Sequence, residues 1–457
     1  MERDTPATAA LAASITYLAV APLLPFAVSS HDGSRLLQVG LLAVVTSLAL
    51  FSPAVPEWTK HRSLLGCGAA SLTLALGSLL TAAQFGAAAQ EVALLLGLAV
   101  VARQAYRAAR SAAVGWVYDA LLAASCAYFT LTLGIYAAAL AEGAPLNARM
   151  LHLGFDNPRF FNHAQTLAVP VLLGWSVAAP GQKRRRVALG VASLHFAWLF
   201  MDLARASLLA LAVAAVWCAC VGATALWRRL ALSALLGAGL HLSLFVALPR
   251  LLNRNWAGQF ASVQELGSSH SRDLLLSAAL EQIQAHPWLG AGPMHFAALA
   301  HPKGAHPHNL YLQWAAEFGL PSLLLLLALL LLPLWRASTT LRQTRSTQHG
   351  MTAALGAAIV AALVDAGFSG NFVMPVSQVW IALVYGLLWA ELPHTTALSQ
   401  RRRASLLPML PLMTVQLWLA AVTWQQWQYD PPRISDLSPV TTADQKPRPR
   451  FWQQGWL

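Results

Sequence analysis

Charge is what this sequence has least of: only 11% of its 457 residues are Asp, Glu, Lys or Arg. Soluble domains carry about 25%. The shortage excludes an ordinary water-soluble protein and puts the chain in a bilayer. Cysteine is scarce too. Cys67, Cys126, Cys218 and Cys220 all fall inside apolar runs, and Cys218-x-Cys220 lacks the second pair a zinc site needs, so all four read as small core residues. No cleavable signal is apparent, because the first apolar run, 7–28, is long enough to span the membrane. No internal repeat is found. Acids within apolar runs are few, Asp365 being the clearest, with Asn371 following at the outer end of its run. A proton-coupled transporter needs several such acids along its helices, and an exporter or flippase needs a charged cavity across the bilayer. The scarcity argues against both.

Apolar runs are abundant. They cover 7–28, 36–51, 64–85, 88–102, 116–141, 163–179, 187–201, 203–223, 229–248, 309–334, 352–370, 376–392 and 404–424. Each approaches the roughly 20 residues that cross a bilayer as a helix. The fold class expected is therefore an all-α polytopic membrane protein of about 12–13 transmembrane helices. The lower count applies if the last run, broken by Pro408 and Pro411, does not cross. The net charge of +12 is no nucleic-acid signature here, because the basic residues cluster in short connections. Arg103, Arg107 and Arg110 form one cluster, and Lys183 to Arg186, Arg228 with Arg229, Arg336 with Arg342 and Arg345, and Arg401 to Arg403 form the others. They occupy every second connection, so all share one side, which the positive-inside rule makes cytoplasmic. The remaining connections, including Glu142–Asn162 and the long segment Pro249–His308, then face the periplasm of a bacterium.

The chain divides into N-terminal membrane helices (1–248), a long periplasmic loop (249–308), C-terminal membrane helices (309–424) and a polar, aromatic tail (425–457). A loop of that length is functional or disordered. Asp273 to Ala285 has helical spacing, with Leu276, Leu280 and Ile283 on one face, and HPWLGAGP then breaks the helix. A helical lid over the bundle is expected. Phe451, Trp452 and Trp456 in the tail are suited to the membrane interface.

The residues suited to chemistry gather on the periplasmic side. Arg205 opens an apolar helix, where it either snorkels to the interface or presents its guanidinium fork to phosphate oxygens, oriented by Asp202 and Ser207. Arg272, in SHSRD with Ser271 and Asp273 as N-cap candidates, is either a solvated loop arginine or an anion ligand at a helix N-terminus. Arg159 stands in FDNPRFFNHAQT with Asn157, Asn162, His163 and Gln165, a polar mouth that either caps a helix or binds a sugar or diphosphate. His301, His306 and His308 lie at i, i+5 and i, i+2 spacings broken by Pro302 and Pro307, and no Cys or Asp stands close by. Metal-binding pairs on helices favour i, i+4, so proton handling suits these imidazoles better than a metal. Asn309 follows directly. Glu317, two to three turns deeper, is expected to be buried and paired with an Arg or His, as a structural hydrogen-bond acceptor.

The run His308-Asn309-Leu310-Tyr311-Leu312-Gln313, with Glu317 and Gly319 after it, resembles the signature of the O-antigen ligase and polymerase superfamily. Arg272 with HPWLGAGPMHF is similar to that family's lid-helix segment, and LARASLLAL to its arginine-bearing helix. The resemblance covers roughly residues 150–390. It implies a metal-independent, inverting glycosyltransferase at the periplasmic face of the inner membrane, with no cofactor and a glycan on undecaprenyl diphosphate as donor. Position by position it makes Arg205, Arg272 and His308 the catalytic residues. Arg159, His163, His306, Asn309 and Glu317 are then candidates for substrate binding. The expected partners are the lipid-linked donor, a lipid A-core acceptor and membrane lipids. A protein acceptor of the pilin type ranks second, and another lipid-linked glycan, as in O-antigen polymerases, third.

Overall fold

A backbone in lipid has to satisfy its own hydrogen bonds, and apolar runs of this length do so as helices. The computed structural model describes residues 4–24, 29–52, 62–111, 113–256, 270–298, 304–344, 349–393, 409–429 and 450–452. Among these residues there is no strand; one isolated bridge joins Leu146 and Trp256. The helices are α1 (Thr5–Val20), α2 (Ser30–Leu50), α3 (Arg62–Leu79), α4 (Phe85–Ser111), α5 (Gly115–Glu142), α6 (Pro158–Ala178), α7 (Gln182–Met201), α8 (Arg205–Cys220) and α9 (Thr224–His241). A π-helical turn leads from α9 into α10 (Leu248–Leu251), followed by α11 (His270–Ala285), α12 (His295–Ala298), α13 (Leu310–Phe318), α14 (Leu320–Thr344), α15 (Gly350–Ala366), α16 (Pro375–Glu391) and α17 (Leu410–Tyr429). Among the described residues, six segments, namely α1, α2, α4, α5, α9–α10 and α14, are long and apolar enough to cross a membrane, and α8 and α15 are shorter apolar helices. The protein is an all-α polytopic membrane protein. Leu235, Val216 and Leu324 are more than 60% exposed, as befits side chains that face acyl tails.

Two ends of the bundle are chemically distinct. The basic end gathers the helix termini rich in arginine. There Arg107 grips Asp4, the N-cap of α1, through Nε (3.0 Å) and Nη2 (2.6 Å), and Arg184 meets Asp119 at 3.3 Å. Arg103, Arg107 and Arg110 stand on the last turns of α4 rather than in a connection, because that helix continues well past the apolar run 88–102. The opposite end carries the starts of α2, α6, α8 and α13 and the end of α15, and it is where the candidate site lies. α15 is the pivot of this arrangement. Its alanines, among them Ala354, Ala358 and Ala362, are buried and let α6 and α8 approach closely.

The expected span 309–334 is in fact two helices. Gly319 (φ +84°) ends α13, and the chain restarts as α14. The break accommodates the segment after the lid helix, whose backbone runs against it: Ala291 N donates to Ala316 O (2.8 Å), Gly292 N to Glu317 O (3.1 Å) and Leu320 N to Pro287 O (2.9 Å). A Cβ on Gly319 would sit 2.1 Å from the Trp288 carbonyl oxygen, and one on Gly290 2.3 Å from the Glu317 carbonyl carbon. These two glycines let the backbones touch.

The lid helix exists as α11, with corrections. It starts at His270, so Ser271 and Asp273 lie inside its first turn rather than capping it. Its buried face is Leu275 and Ala279, packed with Phe296 and Ala316, while Leu280 is exposed. Cys220 is exposed and only Cys218 is buried, so the cysteines are not uniformly core. The tail is the largest departure. Phe451, expected at the interface, is buried in the bundle with Arg450, and Trp452 Nε1 donates to Gln426 near the end of α17 (3.0 Å). Trp456 lies outside the described residues. α17 therefore runs from the basic end to the site end, although it is not among the six segments long and apolar enough to cross a membrane.

Candidate functional site

His308 has φ +53°, a left-handed backbone that its β-carbon disfavours. Non-glycine residues hold such a conformation where the surroundings over-determine it. Here its N–H donates to Nδ1 of His306 (3.2 Å), and the two rings lie edge to face at 4.1 Å. Accepting at Nδ1 leaves a neutral His306 with its proton on Nε2. His306 is buried, and burial holds its pKa well below the usual histidine value, with the charges of His308, Arg450, His163 and His31 adding to the effect. His306 is thus the support on which His308 rests. His301 lies outside the described residues.

Asn309 is the N-cap of α13: its side-chain oxygen accepts from Leu312 N (3.0 Å), and its Nδ2 donates to the Gly367 carbonyl (3.0 Å). The Tyr311 hydroxyl donates to the Leu363 carbonyl (2.6 Å). Both bonds tie the start of α13 to the end of α15. There Asp365, fully buried, meets His163 of α6 through Oδ2 and Nδ1 (3.1 Å) and accepts from the Ser369 hydroxyl (2.9 Å). Asp365, the clearest acid within an apolar run of the sequence, is one half of a pair.

On the other flank of α6 lies α8. Arg205 is its first residue, exposed at the site end just after Leu203, which also has a positive φ (+47°). Ser207 donates to the Asn162 carbonyl (3.4 Å). The Asn162 amide, oriented to donate, reaches Asp202 Oδ2 at 2.8 Å, and the same oxygen meets His152 Nε2 at 2.9 Å. Ser207 and Asp202, expected to orient Arg205, also bind α6 and His152. Arg159 stands at the half-buried first turn of α6, where Asn157 caps the helix by accepting from Arg159 N (2.9 Å). Arg272 lies in the first turn of α11, and its side chain lies outside the described residues.

Glu317 is fully buried, and its expected partner is an arginine from the tail. Oε2 accepts from Arg450 Nη2 (2.6 Å), and Oε1 from Phe296 N (3.3 Å). The Gln313 amide oxygen, oriented to accept, lies 2.8 and 2.9 Å from the same guanidinium, and Glu91 Oε1 is 3.7 Å away. Burial opposes the charge on Arg450, but Glu317 and Glu91 outweigh it and raise its pKa. The carbonyls of Arg450 and Phe451 accept from Arg35 Nη2 (3.2 Å) and Nε (3.0 Å). Nothing in the sequence around Arg450 marks it; Glu317 alone announced that a partner was needed.

Below α13 a cavity of ≈ 550 Å³ runs between α3, α4, α14 and α16, with an overwhelmingly apolar wall. Trp314 and Phe372 line it toward the site, Leu98 and Leu330 at mid-depth, and Arg103 and Trp389 toward the basic end. Among the described residues, no three side chains of His, Cys, Asp or Glu come together as a metal-binding group.

Residues 190–327 match the family model described as O-antigen ligase. The match supports a place in the O-antigen ligase/polymerase superfamily. It runs from within α7 into the first turns of α14, and so takes in Arg205, Arg272, His306, His308, Asn309 and Glu317. His163, Asp365 and Arg450 fall outside it. No curated protein matches the chain.

Proposed function

We propose that this membrane protein is an O-antigen ligase: a glycosyltransferase moving a glycan from undecaprenyl diphosphate to a lipid A-core acceptor, at the periplasmic face of the bacterial inner membrane. The observation that carries the reading is one of position. The stretch matching the O-antigen ligase family delivers Arg205 and His308 to the same end of the bundle, and an apolar cavity lies below α13, lined at that end by Trp314 and Phe372. A cavity of that character is what a polyprenyl chain requires.

In this reading Arg205 and Arg272 clamp the diphosphate and neutralise the charge that grows on it as the anomeric bond breaks. Electrostatic stabilisation of that kind is usually the largest single contribution, about 3–4 kcal/mol for one donor. Arg159 adds positive charge at the mouth. His308 meets the acceptor hydroxyl. A diphosphate is a good leaving group without protonation, so the mechanism needs no general acid, and the arginines rather than a metal balance its charge. Asn309, His306 and Glu317 hold His308 and α13 in place.

The test is a gel of lipopolysaccharide and of pilin from a strain lacking the gene, beside the complemented strain. Loss of the O-antigen ladder, with free core and accumulated lipid-linked polymer, is the expected result. An intact ladder with faster-migrating pilin overturns the ligase reading in favour of a protein O-oligosaccharyltransferase. Core bearing single repeat units marks a polymerase instead.

A further inference from the structure

An imidazole held by an aspartate at the junction of the site's segments lies outside the matched stretch. His163 sits one turn into α6, between the two elements that carry the proposed clamp and the histidine motif. On one side, its neighbour Asn162 accepts from Ser207 of α8, two residues after Arg205. On the other, Asp365 is followed by the loop whose Gly367 carbonyl is held by Asn309 and whose Gly370 packs on the ring of His306. His163 therefore stands at the junction of the three segments.

Its ring is oriented. Asp365 Oδ2 engages Nδ1 at 3.1 Å, and the Ser369 hydroxyl donates to the same oxygen at 2.9 Å. Both side chains are buried, at 6% and 0% exposure. An aspartate on Nδ1 fixes the neutral ring as the Nδ1–H tautomer and leaves Nε2 as the acceptor. It also stabilises the imidazolium formed when Nε2 takes a proton. His306 is fixed the opposite way, with Nδ1 as the acceptor, so it offers no comparable base.

We propose that His163 is a catalytic residue of the transfer, receiving the acceptor hydroxyl's proton at Nε2, with Asp365 and Ser369 as its positioning residues. The proposal rests on the transferase reading above. As the acceptor oxygen bonds to the anomeric carbon, the bond from that carbon to the diphosphate oxygen breaks and its electron pair leaves with the diphosphate. The hydroxyl proton passes to His163 and from there to solvent. His308 orients the hydroxyl from the opposite element.

The experiment uses the full chain in nanodiscs, a synthetic undecaprenyl-diphosphate-linked oligosaccharide and purified lipid A-core. Asp365→Asn keeps the shape but presents an amide that favours the wrong tautomer of His163. The expected result is a fall in kcat of about 10²–10⁴-fold with KM for both substrates unchanged. His163→Gln is expected to lose as much, and the double variant no more than either, because a dyad acts as a unit. Ser369→Ala, which leaves both members in place, loses about tenfold, the worth of one hydrogen bond to a charged group, and serves where Asp365→Asn lowers the yield. Wild-type rates in His163→Gln, a loss confined to KM, or losses that multiply in the double variant overturn the dyad while leaving the transferase reading intact. A wild-type protein inert toward lipid A-core and pilin alike overturns that reading, and this proposal with it.

Discussion

Glu317 and Arg450 meet at 2.6 Å with both side chains fully shielded from solvent. The pair joins α13, which follows the histidine motif, to a segment 133 residues further on. Removing one partner of a buried pair strands the other's charge, at a cost of about 3–5 kcal/mol. Glu317→Ala and Arg450→Ala should each lower the thermal unfolding midpoint in detergent strongly, and a double replacement by apolar residues of similar volume should recover much of the loss. A double variant whose loss equals the sum of the two single losses would show that the charges are not coupled.

His308→Ala should reduce transfer by about 10²–10⁴-fold, the range of a group that handles the acceptor's proton or its hydrogen bond. The side chain is only half-buried, so the variant should reach the membrane at wild-type level. Transfer measured on membranes matched for protein amount checks both statements.

Gly319→Ala should be harmful out of proportion to its size. The new methyl group meets the Trp288 carbonyl at 2.1 Å, at a residue with φ +84°. Alanine at a positive φ costs upwards of about 1 kcal/mol, and here the lid segment must also move away. Limited proteolysis within residues 286–298 should accelerate in this variant and stay unchanged in Gly181→Ala, whose Cβ meets open space.

Burial depresses the pKa of His306, so the unfolded chain takes up a proton at a pH where the folded protein does not. Stability should be flat above about pH 7.5 and fall as the pH drops through the unfolded value of about 6.5, by up to about 1.4 kcal/mol per pH unit. His306→Gln, which can still accept from His308 N–H, should flatten that slope. Unfolding midpoints measured from pH 8 to pH 5 in both proteins provide the comparison.

Whatever depended on neighbours in sequence was legible without the structure. Apolar runs declared the helices, the interval from Arg205 to His308 carried the family resemblance, and Glu317 declared a missing partner because a lone acid at that depth is costly. What escaped was pairing across long separations. Asp365 and His163 are 202 residues apart, and each looks alone in its own helix. Arg450 sits in a stretch whose polar, Pro-rich composition reads as a solvated tail, yet its guanidinium is among the most deeply buried groups. Of the expected lid face, Ile283 packs inward but Leu280 does not: Leu275 and Ala279 bury where α13 lies, and periodicity alone does not say which stripe of a leucine-rich helix meets a neighbour.

Arg35 has a consequence for how the protein is made. It lies at the start of α2, yet its partners are Gln38, Gln378, the Val373 carbonyl and the carbonyls of Arg450 and Phe451. All but Gln38 are synthesised more than 330 residues later. During insertion, therefore, the translocation machinery or the lipid headgroups must shelter an early arginine whose permanent ligands do not yet exist. The Arg35 site is therefore complete only once the segment holding Arg450 and Phe451 has been made and has reached α2.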